Sequence, residues 1–467
     1  MKTPAAIYEI GTLRYTLPKL ILICFWILCA YLAIDLLAYK MVPTLMPVLL
    51  DRHHLSSTEI ALILSSIPAI VNTVLCPLVS TLSDKTRTRW GRRIPYLALS
   101  APFIVGFMIL IAFEPEITGL LHRTLFPASS CDRIGFWVLA ILMTLYIITF
   151  QIPGSIVYYV VADVVPKRFI GTFMGSSAFF GTGLAFVFNC FVLDRAVEDP
   201  KFWFILIGVL YLLIYFLLCC FVREGQYPPV DDRIETKAAL PVKVKEYIAL
   251  YFRECYSHRI YVMLFLTAGL TQASTVCRGM FNLLFALKDL NMTPAEFGHT
   301  MAIGALVSAV IILPMGKIMD IVHPLRVYFF SGLIVIAMNL WGYFFVYDAQ
   351  SFMIVGIAIV LTYAIQTLSG IPLLIALVPP EQYGQFCSAN SMVNSGIMII
   401  ASFLGGYCTD FFGYRMIFIW DFLLTIAATG TLLVVWRDWR KFGGSRNYVP
   451  PAVKSREPAD RNRLAAQ

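Results

Sequence analysis

Long apolar runs alternate with short polar breaks along almost the whole chain. A helix needs about 20 consecutive apolar residues to cross a bilayer. By that ruler the sequence predicts six spans near 20–50, 57–82, 94–113, 134–165, 168–193 and 201–222. Six more follow near 259–287, 295–319, 325–347, 351–379, 387–409 and 415–436, designated span 1 to span 12 in chain order. Spans 1, 4 and 10 exceed the bilayer thickness, so tilt or extension beyond it is expected. The hydrophilic stretch 223–258 divides the spans six and six. Within it, "PVKVKEYIALYFREC" sets apolar residues at helical spacing among charges, which predicts an amphipathic helix along the membrane surface; plain linker is the alternative. The organisation read from this pattern is a six-helix bundle over 1–222, a linker over 223–258, a second six-helix bundle over 259–436 and a basic tail over 437–467.

Composition agrees with this reading and removes other classes. Of 467 residues, 59% are hydrophobic and 14% charged, against about 25% charged in soluble domains. The formal net charge of +8 sits in short clusters between spans. No basic face interleaved with aromatics appears, so nucleic acid is not expected as a partner. The densest cluster is "SDKTRTRWGRRIPYL", 83–97. The excess of Lys and Arg in alternate loops places that loop, and both termini, in the cytoplasm. The first apolar run is too long for a signal-peptide core and lacks a small-residue cleavage site, so it reads as a retained helix. The 11 Cys form no C-x-x-C pair or disulfide framework, and the 6 His are not spaced as metal ligands. No Walker sequence and no nucleophile–base set is present. The expectation is an integral protein of the cell membrane, working as a single chain on a small molecule, with no enzymatic activity, cofactor or metal.

Three internal correspondences point to two related halves. "STLSD" (80–84) and "GKIMD" (316–320) end spans 2 and 8 alike. The pattern P-x-x-x-x-G-x-F fits Pro166, Gly171 and Phe173, and again Pro379, Gly384 and Phe386. Lys40 lies eleven residues before Asp51, and Arg278 eleven before Asp289; "LSSTE" and "MTPAE" follow shortly.

These features resemble the major facilitator superfamily. Its loop signature after span 2 is represented here by Ser80, Asp84, Lys85, Gly91, Arg92 and Arg93, with Ser80 replacing a glycine and four extra residues, "TRTR", inside the loop. That insertion, with "CPLVSTLSD" (76–84) and "VVADVVP" (160–166), is similar to the glycoside–pentoside–hexuronide cation symporters and the related sucrose–proton symporters. The resemblance implies an all-α fold of twelve membrane helices in two pseudo-symmetric six-helix bundles. It also implies a secondary active transporter importing a sugar, glycoside or sugar acid with protons by alternating access. In such relatives the loop braces the two halves, a role implied for Asp84, Lys85, Gly91, Arg92 and Arg93, with Asp320 as the weaker echo. Melibiose-type relatives carry two acids on span 2 where this chain has Asn72 and Cys76, which makes a proton the expected coupling ion ahead of sodium.

Charges inside hydrocarbon are costly and should face a cavity or pair. Tyr31, Asp35 and Tyr39 fall four apart, on one face of a regular α-helix. They are candidates for substrate binding, and the resemblance implies a sugar-binding role for Asp35; an ion pair is the alternative. Lys40 and Arg278 hold equivalent places in the repeats and could reach one anionic or hydroxylated ligand, or pair locally. Gln151, Ser155, Tyr159 and Asp163 form a polar stripe on span 4. Gln151 and Tyr159 are substrate candidates there. The resemblance implies proton coupling for Asp163, and Asp35 is the second coupling candidate. Asn189, Gln272, Asn282, Gln366, Asn390, Asn394 and Asp421 are lesser cavity candidates. Export of an amphipathic metabolite or drug, or a transport-dead sensor or partner subunit, are the competing functions.

Overall fold

Where water is excluded, each backbone N–H and C=O must be satisfied within the chain, and a helix does this locally. The computed structural model describes residues 8–10, 12–225, 252–379 and 383–451. It contains twelve helices long and apolar enough to cross a membrane. Span 1 runs Leu17–Asp51, span 3 Ile94–Ala112, span 4 Cys131–Val164 and span 6 Pro200–Phe221. Span 2 is Ser57–Ala61, a π turn at Leu62–Ser66, then Ile67–Lys85; span 5 is Lys167–Val187, a π turn at Phe188–Val192, then Leu193–Glu198. Spans 7 to 12 are Arg259–Lys288, Pro294–Val322, Pro324–Phe345, Ala349–Leu377, Tyr383–Phe412 and Met416–Lys441. The amphipathic helix expected in the linker falls largely on 226–251, outside the described residues.

The repeat markers have a physical meaning at the helix starts. Ser56 caps span 2 in a reciprocal box with Glu59, and Thr293 caps span 8 in the same box with Glu296. Each box satisfies donors that a helix N-terminus otherwise leaves unpaired. The two halves also pack by one plan. Span 1 packs on spans 5 and 6, span 3 on 4 and 6, and span 2 on 4; in the second half, span 7 packs on 11 and 12, span 9 on 10 and 12, and span 8 on 10. The outer surface is apolar, with Leu99, Phe216 and Ile400 all more than half exposed, as a lipid-facing surface requires.

Elements outside the spans also shape the bundle ends. A two-stranded hairpin, β1 (Tyr8–Ile10) and β2 (Leu13–Tyr15), precedes span 1. A surface helix, Glu114–Thr124, joins spans 3 and 4. The hairpin, the Lys441 end of span 12 and the 83–93 loop share one end of the bundle, called here the basic end; Asp51, Lys288 and Asp410 lie at the far end.

Between the halves, span 11 packs on span 2, span 8 on span 5, and span 7 on span 1. Two glycines permit that approach. A Cβ at Gly406 would lie 2.6 Å from the Ser57 carbonyl oxygen and 2.7 Å from the Ala61 Cβ, and one at Gly298 would overlap the Asn189 carbonyl oxygen.

Candidate functional site: two stacked cavities in a charged frame

Among the described residues, the hydrogen bonds joining the halves all lie toward the far end. The Asp410 carboxylate accepts from the Ser57 N–H at 2.5 Å, the Thr58 N–H at 2.9 Å and the Thr58 hydroxyl at 2.5 Å. Ser66 pairs with Ser402 at 2.7 Å. Lys288 meets Asp51 at 2.5 Å. Asp410 thus binds the first two N–H groups of span 2 while the Ser56 hydroxyl takes the Glu59 N–H at 3.2 Å. The orphan donors of one half's helix are capped partly by the other half.

Below this closure lie two cavities. The larger, about 560 Å³, is hollowed into the basic-end part of the second half, among spans 7, 9, 10 and 11. Its polar lining is Gln272, Gln366, Asn390 and Asn394, with hydroxyls from Thr271 and Tyr328 among others; no lining residue is ionised. The carbonyl oxygens of Asn390 and Asn394 are buried without a hydrogen-bond partner among the described residues. Such groups are costly to leave unpaired and suit a polar guest. The residues ranked lowest by sequence therefore hold the larger cavity, because amides are common inside helical bundles and give no signal of which face they take.

The second cavity, about 300 Å³, lies between the halves toward the far end. It is lined by Tyr39, Lys40, Asn189, Arg278 and Asn282, with apolar groups including Phe297. Lys40 and Arg278, one from each half, both line this space. Span 7 connects the two levels: Gln272 and Thr275 face the first cavity, Gly279 and Asn282 the second, and these spacings share one helical face.

The two cations have different surroundings. Arg278 donates from Nη2 to Asn339 Oδ1 at 2.6 Å and from Nε to Asp421 Oδ2 at 3.4 Å, and its guanidinium lies 5.0 Å from the Phe418 ring centroid. Asp421 is fully buried and also accepts from the Tyr363 hydroxyl and, at 3.2 Å, from Thr425. Among the described residues, Lys40 has only Asp35, at 3.8 Å. The expected Tyr31–Asp35–Tyr39 stripe is not formed as α-periodicity requires. Residues Asp35–Met41 are a π turn, whose wider i→i+5 repeat brings residue i+5 beside residue i. Lys40 becomes the neighbour of Asp35, while Tyr39 is 63% exposed and lines the cavity. Tyr31 is half-buried and lines neither cavity.

At the basic end, Asp163 is the counter-ion of the loop arginines. Arg92 donates to both its oxygens, at 3.0 and 2.9 Å, and Arg93 Nε lies 3.1 Å away. Sequence reading missed the loop's second acid. Glu224, just after span 6, accepts the backbone N–H groups of Arg92 at 3.0 Å and of Arg93 and Ile94 at 2.8 Å each. Gly91 makes room: its φ is +116°, and a Cβ there would lie 2.7 Å from the Glu224 side chain. Gln151 on span 4 donates to Asn72 on span 2, so an amide pair joins these helices. The side chains of Asp84, Lys85, Tyr159 and Asp320 lie outside the described residues.

A histidine-centred cluster completes the frame at the far end. His53 lies 3.2 Å from Glu114 Oε2 and 3.9 Å from Asp132, and Glu114 accepts from Thr118 at 2.5 Å. The hydrogen bond to Glu114 raises the imidazole above its ordinary value of 6.5, opposed by burial.

Residues 264–462, less than half of the chain, match the family model described as Major Facilitator Superfamily. No curated protein sequence matches the chain. Solved structures similar to it include a bacterial homologue of the human lysosomal transporter Spinster, inward-facing and unoccupied, at 13% identity and TM-score 0.67, covering 94% of this chain and 100% of that one. The nucleoside transporter NupG aligns at 13% identity and TM-score 0.60, over 89% of this chain and 99% of that one. A D-xylose–proton symporter aligns at 13% identity and TM-score 0.63, over 90% and 97%. With twelve apolar helices packed as two like halves, the chain has the major facilitator fold.

Proposed function

We propose that this chain is a secondary transporter that imports a hydroxyl-rich solute with protons by alternating access. Its sugar-transporting relatives are those of the glycoside–pentoside–hexuronide and sucrose-type branch. It works as a single chain in the cell membrane with the basic end, and both termini, in the cytoplasm. One observation carries the reading: an uncharged cavity of about 560 Å³, walled by four amides and several hydroxyls, lies beneath helices joined toward the far end. Amides and hydroxyls both donate and accept, which suits sugar hydroxyls, and two tyrosines add flat apolar surface. Closure at the far end corresponds to an inward-facing state in this orientation. The similar structures include an inward-facing transporter and a proton-coupled sugar symporter. The exporter reading asks for an aromatic cavity with few polar groups, and the amide lining favours it less.

Proteoliposomes given an inward proton gradient test the proposal. Labelled D-xylose, D-glucose, sucrose and D-glucuronate are offered in parallel. Accumulation of at least one solute, abolished by a protonophore, is expected. Flux of none of them, with or without a gradient, overturns it.

A further inference from the structure

We propose that the transported solute carries a carboxylate, and that this carboxylate replaces Asp35 as the partner of Lys40, leaving Asp35 to take up the accompanying proton. The inference rests on reading the chain as a proton-coupled transporter, and it names the substrate class and the coupling step.

The argument starts from the unequal states of the two cavity cations. Arg278 is held on three sides by Asp421, Asn339 and the face of Phe418. It is fixed and neutralised. Lys40 points into the same cavity, yet its ammonium makes no hydrogen bond among the described residues, and its one acid stands 3.8 Å away. An ammonium has three donors to satisfy. A guest carboxylate in hydrogen-bond contact would therefore bind it better than Asp35 does, because charge-assisted bonds form at about 2.7–2.9 Å. The cavity also offers Asn282, whose buried side-chain oxygen has no partner, as an acceptor for a neighbouring hydroxyl. The amide-lined cavity begins one helical turn along span 7 and would take the rest of a polyhydroxylated guest.

Asp35 is the complementary half of the device. Its Oδ2 is buried without a hydrogen-bond partner. Lys40, on its own span, is the charge that bears on it. Span 5, packed against the π turn, meets it at Gly181, where a Cβ would lie 3.4 Å from Oδ2; it brings no charged group there. Arg278, across the cavity on span 7, is committed to Asp421. Once a guest engages Lys40, the Asp35 carboxylate is left in a low-dielectric setting without a counter-charge, and protonation is its cheapest resolution.

Charge balances through the step. Before binding, Asp35 is −1 and Lys40 is +1. Afterwards the guest is −1, Lys40 is +1, and Asp35 holds a proton drawn from the solution on the side from which the guest entered. No bond other than that O–H forms. One anion and one proton then cross together, so transport is electroneutral. A neutral sugar moving with a proton would carry net charge, which makes the two cases separable.

The test uses the full chain in proteoliposomes with labelled D-gluconate, D-glucuronate and D-glucose. A pH gradient is imposed alone, or a potassium–valinomycin potential alone. The expected result is accumulation of a sugar acid under the pH gradient and at most a twofold response to the potential. Lys40→Gln is expected to weaken sugar-acid binding at least tenfold, with recovery in Lys40→Arg showing that the loss is not misfolding. Asp35→Asn is expected to keep exchange of labelled for unlabelled sugar acid while losing gradient-driven accumulation. Accumulation of D-glucose driven by the potential, without movement of either acid, overturns the inference and leaves the transporter reading standing. Movement of none of the three probes under either force overturns both.

Discussion

Asp410→Ala is expected to loosen the far-end closure without unfolding either half. Asp410 stands at the end of span 11 and accepts three hydrogen bonds from the first turn of span 2, at 2.5, 2.9 and 2.5 Å. For solvent-exposed partners a hydrogen bond contributes about 0.5–1.5 kcal/mol net. The carboxylate is exposed, and when the halves part, water replaces it on the Ser57 and Thr58 donors. The low end is therefore appropriate, and attraction to the helix N-terminus adds about 0.3–1 kcal/mol. A total near 2 kcal/mol corresponds to a shift of roughly 30-fold in the closed-to-open ratio, since 1.4 kcal/mol is tenfold. Asp410→Asn keeps an acceptor and loses the charge, so a shift of about fivefold is expected there. Nitroxide labels at His54 and Phe412, in a cysteine-free background, report the far-end distance by pulsed electron resonance. Asp410→Ala should add a longer-distance population, with Asp410→Asn intermediate. A distribution identical to the parent's in both variants would refute the assignment of Asp410 to the closure, leaving Asp51–Lys288 and the contact at Gly406 to carry it.

Two further outcomes follow from the frame. His53 has its imidazole raised by the Glu114 hydrogen bond, so its stabilising contribution is fully present below about pH 6.5 and is lost as pH rises through the raised folded value. His53→Gln should therefore lower the melting temperature more at about pH 5.5 than at about pH 8.5; an equal drop at both would show that the cluster does not depend on the imidazole charge. Glu224 is buried and accepts three backbone N–H groups, so Glu224→Ala should cost about 2–4 kcal/mol by orphaning them. That cost reads as a lower melting temperature together with faster proteolysis of the 83–93 loop, and an unchanged loop would disprove the bracing role of the carboxylate.

The spans were legible because bilayer thickness sets a length that hydropathy alone reveals, and each predicted span overlaps an observed helix. The pairing of halves was legible because Ser56–Glu59 and Thr293–Glu296 are local capping devices, written within four consecutive residues. Partnerships between distant spans were not. Nothing in the sequence around Glu224 shows that it will wrap under Gly91, and nothing around Asp421 shows that it will meet Arg278, because such choices belong to packing. The helix Glu114–Thr124 falls between two predicted spans because its Glu114, Glu116, His122 and Arg123 break the apolar run. Asp35 shows the sharpest failure. A four-residue stripe presumes 3.6 residues per turn, and the π turn at Asp35–Met41 exchanged Tyr39 for Lys40 as the neighbour of the acid.

That exchange bears on how the halves divide their work. Among the described residues, the three π turns lie in spans 1, 2 and 5, the first-half helices that meet the second half. Their counterparts, spans 7, 8 and 11, are unbroken α-helix over the described residues. The packing plan is shared by the halves, but helix regularity is not. A π turn holds an extra residue in the helix and weakens the local ladder, and such turns concentrate at functional sites. Two of the three also present groups to the inter-half cavity: Tyr39 and Lys40 from span 1, Phe188 and Asn189 from span 5. The third carries Ser66, bonded across to Ser402. The second half contributes uninterrupted α-helices and the amide wall; the first contributes the helices that carry π turns. The irregular wall of the inter-half cavity is thus supplied by the first half, where Lys40 and Asp35 stand.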